Sequence, residues 1–247
     1  MQDKLGVKYW ENVWSKVSLP CSIKPDRIKD LHNIFKSYLP SIAEMKMIEI
    51  GCAPGGWLSY FHKNFGYKIT GIDYAKDAVE ITKKNMKIQN IKADILHKDF
   101  FDYHPKNKFD IVFSGGFIEH FKDTSLIVEK LADLVTKDGY IVTIIPNLYG
   151  ISGLMSRIFR PKVYRGHVKF DKNKFKYFHE KCQFNTLYCD YYGGINLGVP
   201  IDKNWIAKNL PPVTFILNLP FRVLNKLIAI FSSKFMSCHL RPNISPR

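Results

Sequence analysis

Cysteine is scarce in this chain. Five occur in 247 residues (Cys21, Cys52, Cys182, Cys189 and Cys238), an odd number with no C-x-x-C pair. That argues against a disulfide framework and a thiolate zinc site, and a reducing cytoplasm is the expected setting. The first residues, "MQDKLGVKYWENVW", hold no apolar run, so no secretory signal is expected. There is no internal repeat and no low-complexity tract. Hydrophobic residues make up 46% of the chain, enough for a full core without covalent staples.

Acids are scarce in one part only. Residues 1–150 carry 21 basic and 18 acidic side chains, a net +3, whereas residues 151–247 carry 16 and 4, a net +12. The segment "RIFRPKVYRGHVK" has Arg157, Arg160, Lys162, Arg165 and Lys169 and no acid. Such a stretch attracts phosphates, nucleic acid or an anionic membrane surface. The one long apolar run, "PPVTFILNLPFRVLNKLIAIF", approaches the length of a membrane span. Pro220 breaks it, and Arg222, Asn225 and Lys226 interrupt it. A buried or interface helix is the favoured reading. A helix lying on a membrane surface, with contact through residues 211–236, is the alternative.

What is abundant is alternation of strand and helix patterns. "KMIEI", "YKITGID", "IKADILHKD", "FDIVFSGG" and "GYIVTIIPN" read as strands. "KPDRIKDLHNIFKSYL", "GGWLSYFHKNF", "AKDAVEITKKNMK" and "TSLIVEKLADLVT" read as helices. Asp138-Gly139 reads as the turn before the fifth strand. This order predicts an α/β fold with a doubly wound, mostly parallel sheet. Beyond Asn147 the pattern predicts short helices at "GISGLMSRIF" and at "DKNKFKYFHEKC", the latter capped by Asp171. "NTLYCDYYG" and "FMSCHL" read as two further strands.

The stretch "MIEIGCAPGGWLSYF" concentrates glycine immediately after the first strand. In a doubly wound sheet ligands bind at the carboxyl ends of the strands, where glycine lets the backbone approach closely. Gly51, Gly55 and Gly56 therefore point to a cofactor carrying ribose and adenine. Three acids stand at successive strand ends: Glu49, Asp73 and Asp99. Together they could hold an ammonium group, ribose hydroxyls and an adenine amine.

On these residues the chain resembles the class I S-adenosylmethionine-dependent methyltransferases. "EIGCAPGG" resembles their first motif, "GIDYAKDAVEIT" the second-strand acidic motif and "HKDFFD" the third-strand motif. "FDIVFSGGFIEHF" resembles the fourth-strand motif and "LVTKDGYIVTIIPN" the fifth-strand segment. Ala53 and Pro54 depart from the family pattern and stiffen the loop.

The resemblance implies one Rossmann-like methyltransferase domain over residues 1–247, with a seven-stranded sheet. It divides into an N-terminal helical lid at 1–44, a cofactor core at 45–147, and an inserted acceptor region with the last two strands at 148–247. Glu49, Gly51, Cys52, Ala53 and Gly55 would line the methionine and ribose end of S-adenosylmethionine, with S-adenosylhomocysteine as product. Asp73 would hold the ribose hydroxyls and Tyr74 would lie beside the adenine. Asp99 and Phe100 would contact the adenine, and Ser114, Gly115 and Phe117 would lie near the methyl. Tyr9, Trp10 and Trp14 suit a lid over the cofactor.

A sulfonium methyl is already activated, so the enzyme must mainly align the reactants and exclude water. An oxygen acceptor of high pKa also needs a base. His120 and His167 are the candidates, and His179 reads as a helix-face residue without a catalytic part. The basic second part predicts a small anionic acceptor, such as a phosphorylated metabolite, a sugar phosphate or a nucleotide-linked sugar of bacterial surface polysaccharide or capsule synthesis. Arg157, Arg160 and Arg165 are the candidate anion contacts. No metal is expected, the oligomeric state is open, and the setting is cytoplasmic or at the inner face of the membrane.

The rivals are three. An RNA 2'-O-methyltransferase shares "GCAPGGW", but no aspartate follows the fourth strand and no lysine stands on the fifth, so nucleic acid is disfavoured. There is also no "NPPY" motif for adenine. A nicotinamide dehydrogenase would leave Asp99 and the Glu119-His120 pair unexplained. The last is a membrane-docked, non-catalytic methyltransferase-like subunit.

Overall fold

The computed structural model describes residues 4–193 and 235–242. The expected apolar helix within 211–231 lies outside the described residues.

Five parallel strands form the centre: β1 (Lys46–Ile50), β2 (Lys68–Asp73), β3 (Ala93–His97), β4 (Phe109–Gly115) and β5 (Val135–Pro146). They follow the spatial order β3-β2-β1-β4-β5. The order reverses between β1 and β4, which makes the crevice above their carboxyl ends the switch point. β6 (Phe184–Tyr192) and β7 (Phe235–Pro242) continue the sheet beyond β5, with β7 antiparallel to both β5 and β6.

The helices cover both faces. They are α1 (Val7–Trp14), α2 (Lys29–Tyr38), α3 (Gly56–Phe65), α4 (Lys76–Ile88) and α5 (Thr124–Leu134), followed by α6 (Ile151–Phe159), α7 (Pro161–Gly166) and α8 (Lys172–Glu180). Strand alternation sends residues to opposite sides. Ile48, Ile50, Val112, Ile141 and Ile145 pack against α5 and α8, with Ile127, Leu131 and Phe175. Met47, Ile111, Phe113, Val142 and Ile144 pack against α2, α3 and α4, with Phe35, Phe61 and Met86. Asp171 caps α8 as expected, its Oδ1 accepting from the Lys174 N–H at 2.9 Å.

Phe35 centres the second layer. It is fully buried, and its ring lies 5.1 Å from Phe61 and 5.8 Å from Tyr60. Phe35→Ala should cost about 3–5 kcal/mol, read as a lower urea midpoint with unchanged slope. A loss below about 1 kcal/mol would mean that the layer collapses into the gap.

Two expectations need correction. Asp138-Gly139 is not a separate turn. β5 begins at Val135, and the pairing jumps from Phe109↔Val135 to Ile111↔Tyr140, so the residues between form an irregularity within the strand. A Cβ at Gly139 would sit 2.7 Å from the Asp110 carbonyl, so only glycine lets the two strands close there.

His179, read as a helix-face residue, is instead a buried core histidine. The Phe175 carbonyl at 2.8 Å can only accept, so Nδ1 donates to it, and Nε2 accepts from the Thr143 hydroxyl at 3.0 Å. Burial pushes its pKa down to about 4, which keeps it neutral.

Candidate functional site

The ends of β1, β2 and β4 open onto a cavity of ≈ 410 Å³. Pockets that bury a drug-sized ligand measure about 300–1,000 Å³. Its floor is Gly51, Ile72 and Asp73, and its aromatic walls include Tyr74, Phe100, Phe101 and Phe117. Trp10 and Trp14 of α1 close one side, and His120 closes another.

Gly51 can build this floor because its backbone is left-handed, with φ +69. A Cβ there would meet the Phe117 ring at 3.0 Å. Gly55, also left-handed, is the residue before α3, and a Cβ on it would press on Met86 and Thr82 of α4.

Asp73 ends β2 and is buried. Burial pushes its carboxyl up to about 6, partly offset by the backbone N–H groups of Ala75, Ala53 and Tyr74 and by His97. The Ala75 N–H donates to its Oδ1 at 3.0 Å. His97 reaches across from β3 and bonds the Tyr74 carbonyl at 3.0 Å, fixing the chain beside Asp73. Asp99 stands exposed at the rim, and its Oδ1 accepts from the Phe101 N–H at 2.8 Å.

Of the residues expected at a cofactor, the cavity collects Gly51, Asp73, Tyr74, Asp99, Phe100 and Phe117. It does not collect Glu49, Cys52, Ala53, Gly55, Ser114 or Gly115. Cys52 turns into the core, where its Sγ fills the space a Cβ on Gly71 would need. Ala53 contributes its backbone N–H to Asp73 rather than a wall. Gly115 faces Phe113 and Trp57, so the wall after β4 is made by Gly116 and Phe117. Ser114 is buried, and its Oγ has no hydrogen-bond partner among the described residues.

Glu49 lies behind the floor, 2% exposed. Burial pushes its carboxyl well above the usual range, and nearby Asp73 adds to this against a backbone bond from Leu58. Its Oε2 has no hydrogen-bond partner among the described residues. A buried orphan oxygen beside a glycine floor, an aspartate in the floor and flat aromatic walls fits a ligand with cationic, hydroxyl and planar parts.

The two candidate histidines meet. The ring centroids of His120 and His167 are 4.6 Å apart. His120 is buried on the short 3-10 helix Ile118–His120, and Trp10 lies edge-on to it at 4.9 Å. His167 follows α7, half-buried, and does not line the cavity itself. The N-terminal segment holds this region from outside. The Lys4 N–H donates to the His120 carbonyl at 3.2 Å, and Leu5 lies over Gly166.

Tyr9 packs against Trp10 but does not line the cavity. Arg157 and Arg165 are exposed and Arg160 is half-buried, and none of the three lines it. Sequence reasoning missed Lys98, Phe101 and Gly116 in the wall, and it gave no role to Glu119, whose carboxylate stands beside the histidine pair. The signal for Glu119 was its place next to His120 after the fourth strand. Among the described residues no helix is long and apolar enough to cross a membrane.

Residues 47–139 match the family described as methyltransferase domain. The ubiquinone biosynthesis O-methyltransferase of Glaesserella parasuis serovar 5 (strain SH0165) is 30% identical over 100 residues, 38% of this chain and 42% of that protein. The chain thus spans less than half the length of this curated relative.

Among solved structures, a phosphoethanolamine N-methyltransferase 2 of Haemonchus contortus, in complex with phosphomonomethylethanolamine and S-adenosylhomocysteine, aligns with a TM-score of 0.60 and 15% identity. The alignment covers 87% of this chain and 52% of that one. The 4+2 cyclase SpnF aligns with a TM-score of 0.66 and 11% identity over 99% of this chain and 98% of that one. At such identities the likeness defines the fold, and the fold alone does not choose the reaction. Residues 47–139, which supply the sheet beneath the cavity, are thus similar to a methyltransferase domain, and the chain has the fold of these solved structures.

Proposed function

We propose that the chain methylates an oxygen of a small anionic acceptor with S-adenosylmethionine. The observation that carries this reading is Asp73, a buried carboxylate in the floor of the cavity beside the left-handed Gly51. Asp73 would accept from the ribose hydroxyls. Tyr74 and Phe100 would flank the adenine, with Asp99 at its amine. Glu49 is the carboxylate for the ammonium group. The bound cofactor supplies an activated methyl group. The chain's own work is to orient, to exclude water and to handle the acceptor proton. α1 with Trp10 and Trp14 acts as the lid, on a single domain with a seven-stranded sheet. The His120–His167 pair stands at the acceptor end as the proton-handling group.

The +12 of residues 151–247 is what supports an anionic acceptor. The phosphate-bearing ligand named for the Haemonchus contortus structure belongs to the same chemical class. A sugar phosphate or nucleotide-linked sugar of surface polysaccharide synthesis is the finer form of the proposal. The relative named for ubiquinone biosynthesis is the reason to include phenolic acceptors in the same screen.

Thermal unfolding with S-adenosylhomocysteine, against NAD and no ligand, tests the reading. At about 100 times its dissociation constant the ligand should stabilise by roughly 2.7 kcal/mol, and NAD should not. Asp73 adds a pH signature. Its folded pKa of about 6 lies above the ordinary 3.8, so the free protein binds the extra proton between these values. The free protein's stability therefore falls as pH rises through that window. Ligand hydroxyls donate to the ionised form, so affinity runs the other way and should fall about tenfold from pH 7 to pH 5. No shift in folded, cofactor-free protein would overturn the cofactor assignment. A flat pH profile would remove Asp73 from it.

A further inference from the structure

We propose that Glu119, His120 and His167 form a divalent transition-metal site at the acceptor end of the cavity. Each offers one ligand atom, and these atoms all lie within 4.8 Å of one another. Glu119 and His120 are buried and His167 is half-buried. The inference rests on the reading of this cavity as the place of methyl transfer.

Tautomers come first. His120 Nε2 faces the Gly116 carbonyl at 3.1 Å, and His167 Nδ1 faces the Val163 carbonyl at 2.6 Å. A carbonyl only accepts, so each of these nitrogens carries the ring hydrogen. In the neutral rings the other nitrogen of each is a lone pair. Metal-bound histidines are commonly held this way, one nitrogen on a backbone carbonyl and the other on the ion. The carboxylate of Glu119 adds an acceptor-only group. One nitrogen of each ring and a carboxylate oxygen thus lie within 4.8 Å of one another, with Glu119 Oε1 4.0 Å from His120 Nε2.

The backbone holds the three in register. The Val168 N–H donates to the Glu119 carbonyl at 2.6 Å, so the segment with His167 is bonded directly to the one with His120. The Gly116 N–H donates to the Ile144 carbonyl at 2.8 Å, tying the loop to the end of β5. A tetrahedral ion with bonds of about 2.0–2.1 Å needs ligand atoms about 3.4 Å apart. Small rotations of Glu119 and His167 would close the cluster to that spacing.

The donor set chooses the ion. Two imidazoles and one carboxylate suit Zn²⁺ and its neighbours, and they do not suit Mg²⁺ or Ca²⁺, which take oxygen. Three protein ligands leave one position open, as in catalytic zinc sites. Since His120 lines the cavity, that position falls at the acceptor end. An acceptor hydroxyl coordinated there would release its proton to bulk water and remain as an oxyanion at neutral pH. The ion would then do what a base would otherwise do, and both histidines would act as ligands.

The test uses the full chain freed of metal by chelator. Co²⁺ is titrated while its visible absorption is followed, Zn²⁺ is added as competitor, and S-adenosylhomocysteine binding is measured in parallel. The expected result is one saturable Co²⁺ per chain, displaced by Zn²⁺. Glu119→Gln and His167→Ala should each weaken it at least about tenfold. His167 lies at the half-buried end of a short helix, so its variant should keep the fold, which circular dichroism checks. No saturable Co²⁺ binding by the folded chain, or binding unchanged in both variants, overturns the site. Co²⁺ binding without S-adenosylhomocysteine binding would sink the cofactor reading and leave the metal site standing, and the reverse result would do the opposite.

Discussion

Asp73→Ala should weaken S-adenosylhomocysteine binding by at least about 100-fold. A hydrogen bond to a charged group is worth about 1.5–3 kcal/mol, and a ribose offers two hydroxyls to one carboxylate. Losing both removes about 3 kcal/mol or more, and each 1.4 kcal/mol is a factor of ten. The variant also strips the backbone N–H groups of Ala75, Ala53 and Tyr74 of their acceptor. Asp73→Asn separates the two effects, since it keeps an acceptor oxygen but no charge. Calorimetric titration at pH 7.5 decides. A loss below about threefold in Asp73→Ala would place the ribose elsewhere.

The second large effect belongs to turnover. His120→Ala should lower kcat by about 10²–10⁴ on whichever acceptor the screen identifies, the loss expected when either a positioned proton-handling group or a ligand of the ion that replaces it is removed. S-adenosylhomocysteine affinity should move by less than about threefold, because the residue stands at the acceptor end. That split separates a part in the reaction from a general loosening of the fold, which would move both. An unchanged kcat would give His120 a purely architectural part under Trp10.

Much of the core was legible in the sequence because its signals are local. "KMIEI" and "FDIVFSGG" show buried-strand patterns, and Asp73 is the last residue of its strand, so its place in the floor could be read from order alone. The failures came where side-chain direction decides. "SGG" offers three adjacent candidates, and only the φ of +76 at Gly116 and the contacts of Gly115 with Trp57 show which residues form the wall. Cys52 sits in the glycine-rich loop yet points into the core. His120 and His167 were each singled out, but 47 residues of chain hide their meeting, which the Val168–Glu119 bond and the turn after α7 bring about. The arginines were chosen by charge, and charge does not say which way a short helix faces.

The first described residues touch both sides of the cavity mouth. Lys4 is bonded to the His120 carbonyl, Leu5 covers Gly166, and Trp10 lies across the His120 ring. One short segment is thereby fastened to the two stretches that bring His120 and His167 together. Methyl donor and acceptor would then share a door with a single latch. A latch of that kind makes traffic ordered: whatever lies deeper must arrive before it shuts and leave after it lifts. The tempo of the whole cycle would be set at the edge of the molecule, by a dozen residues that perform none of the chemistry.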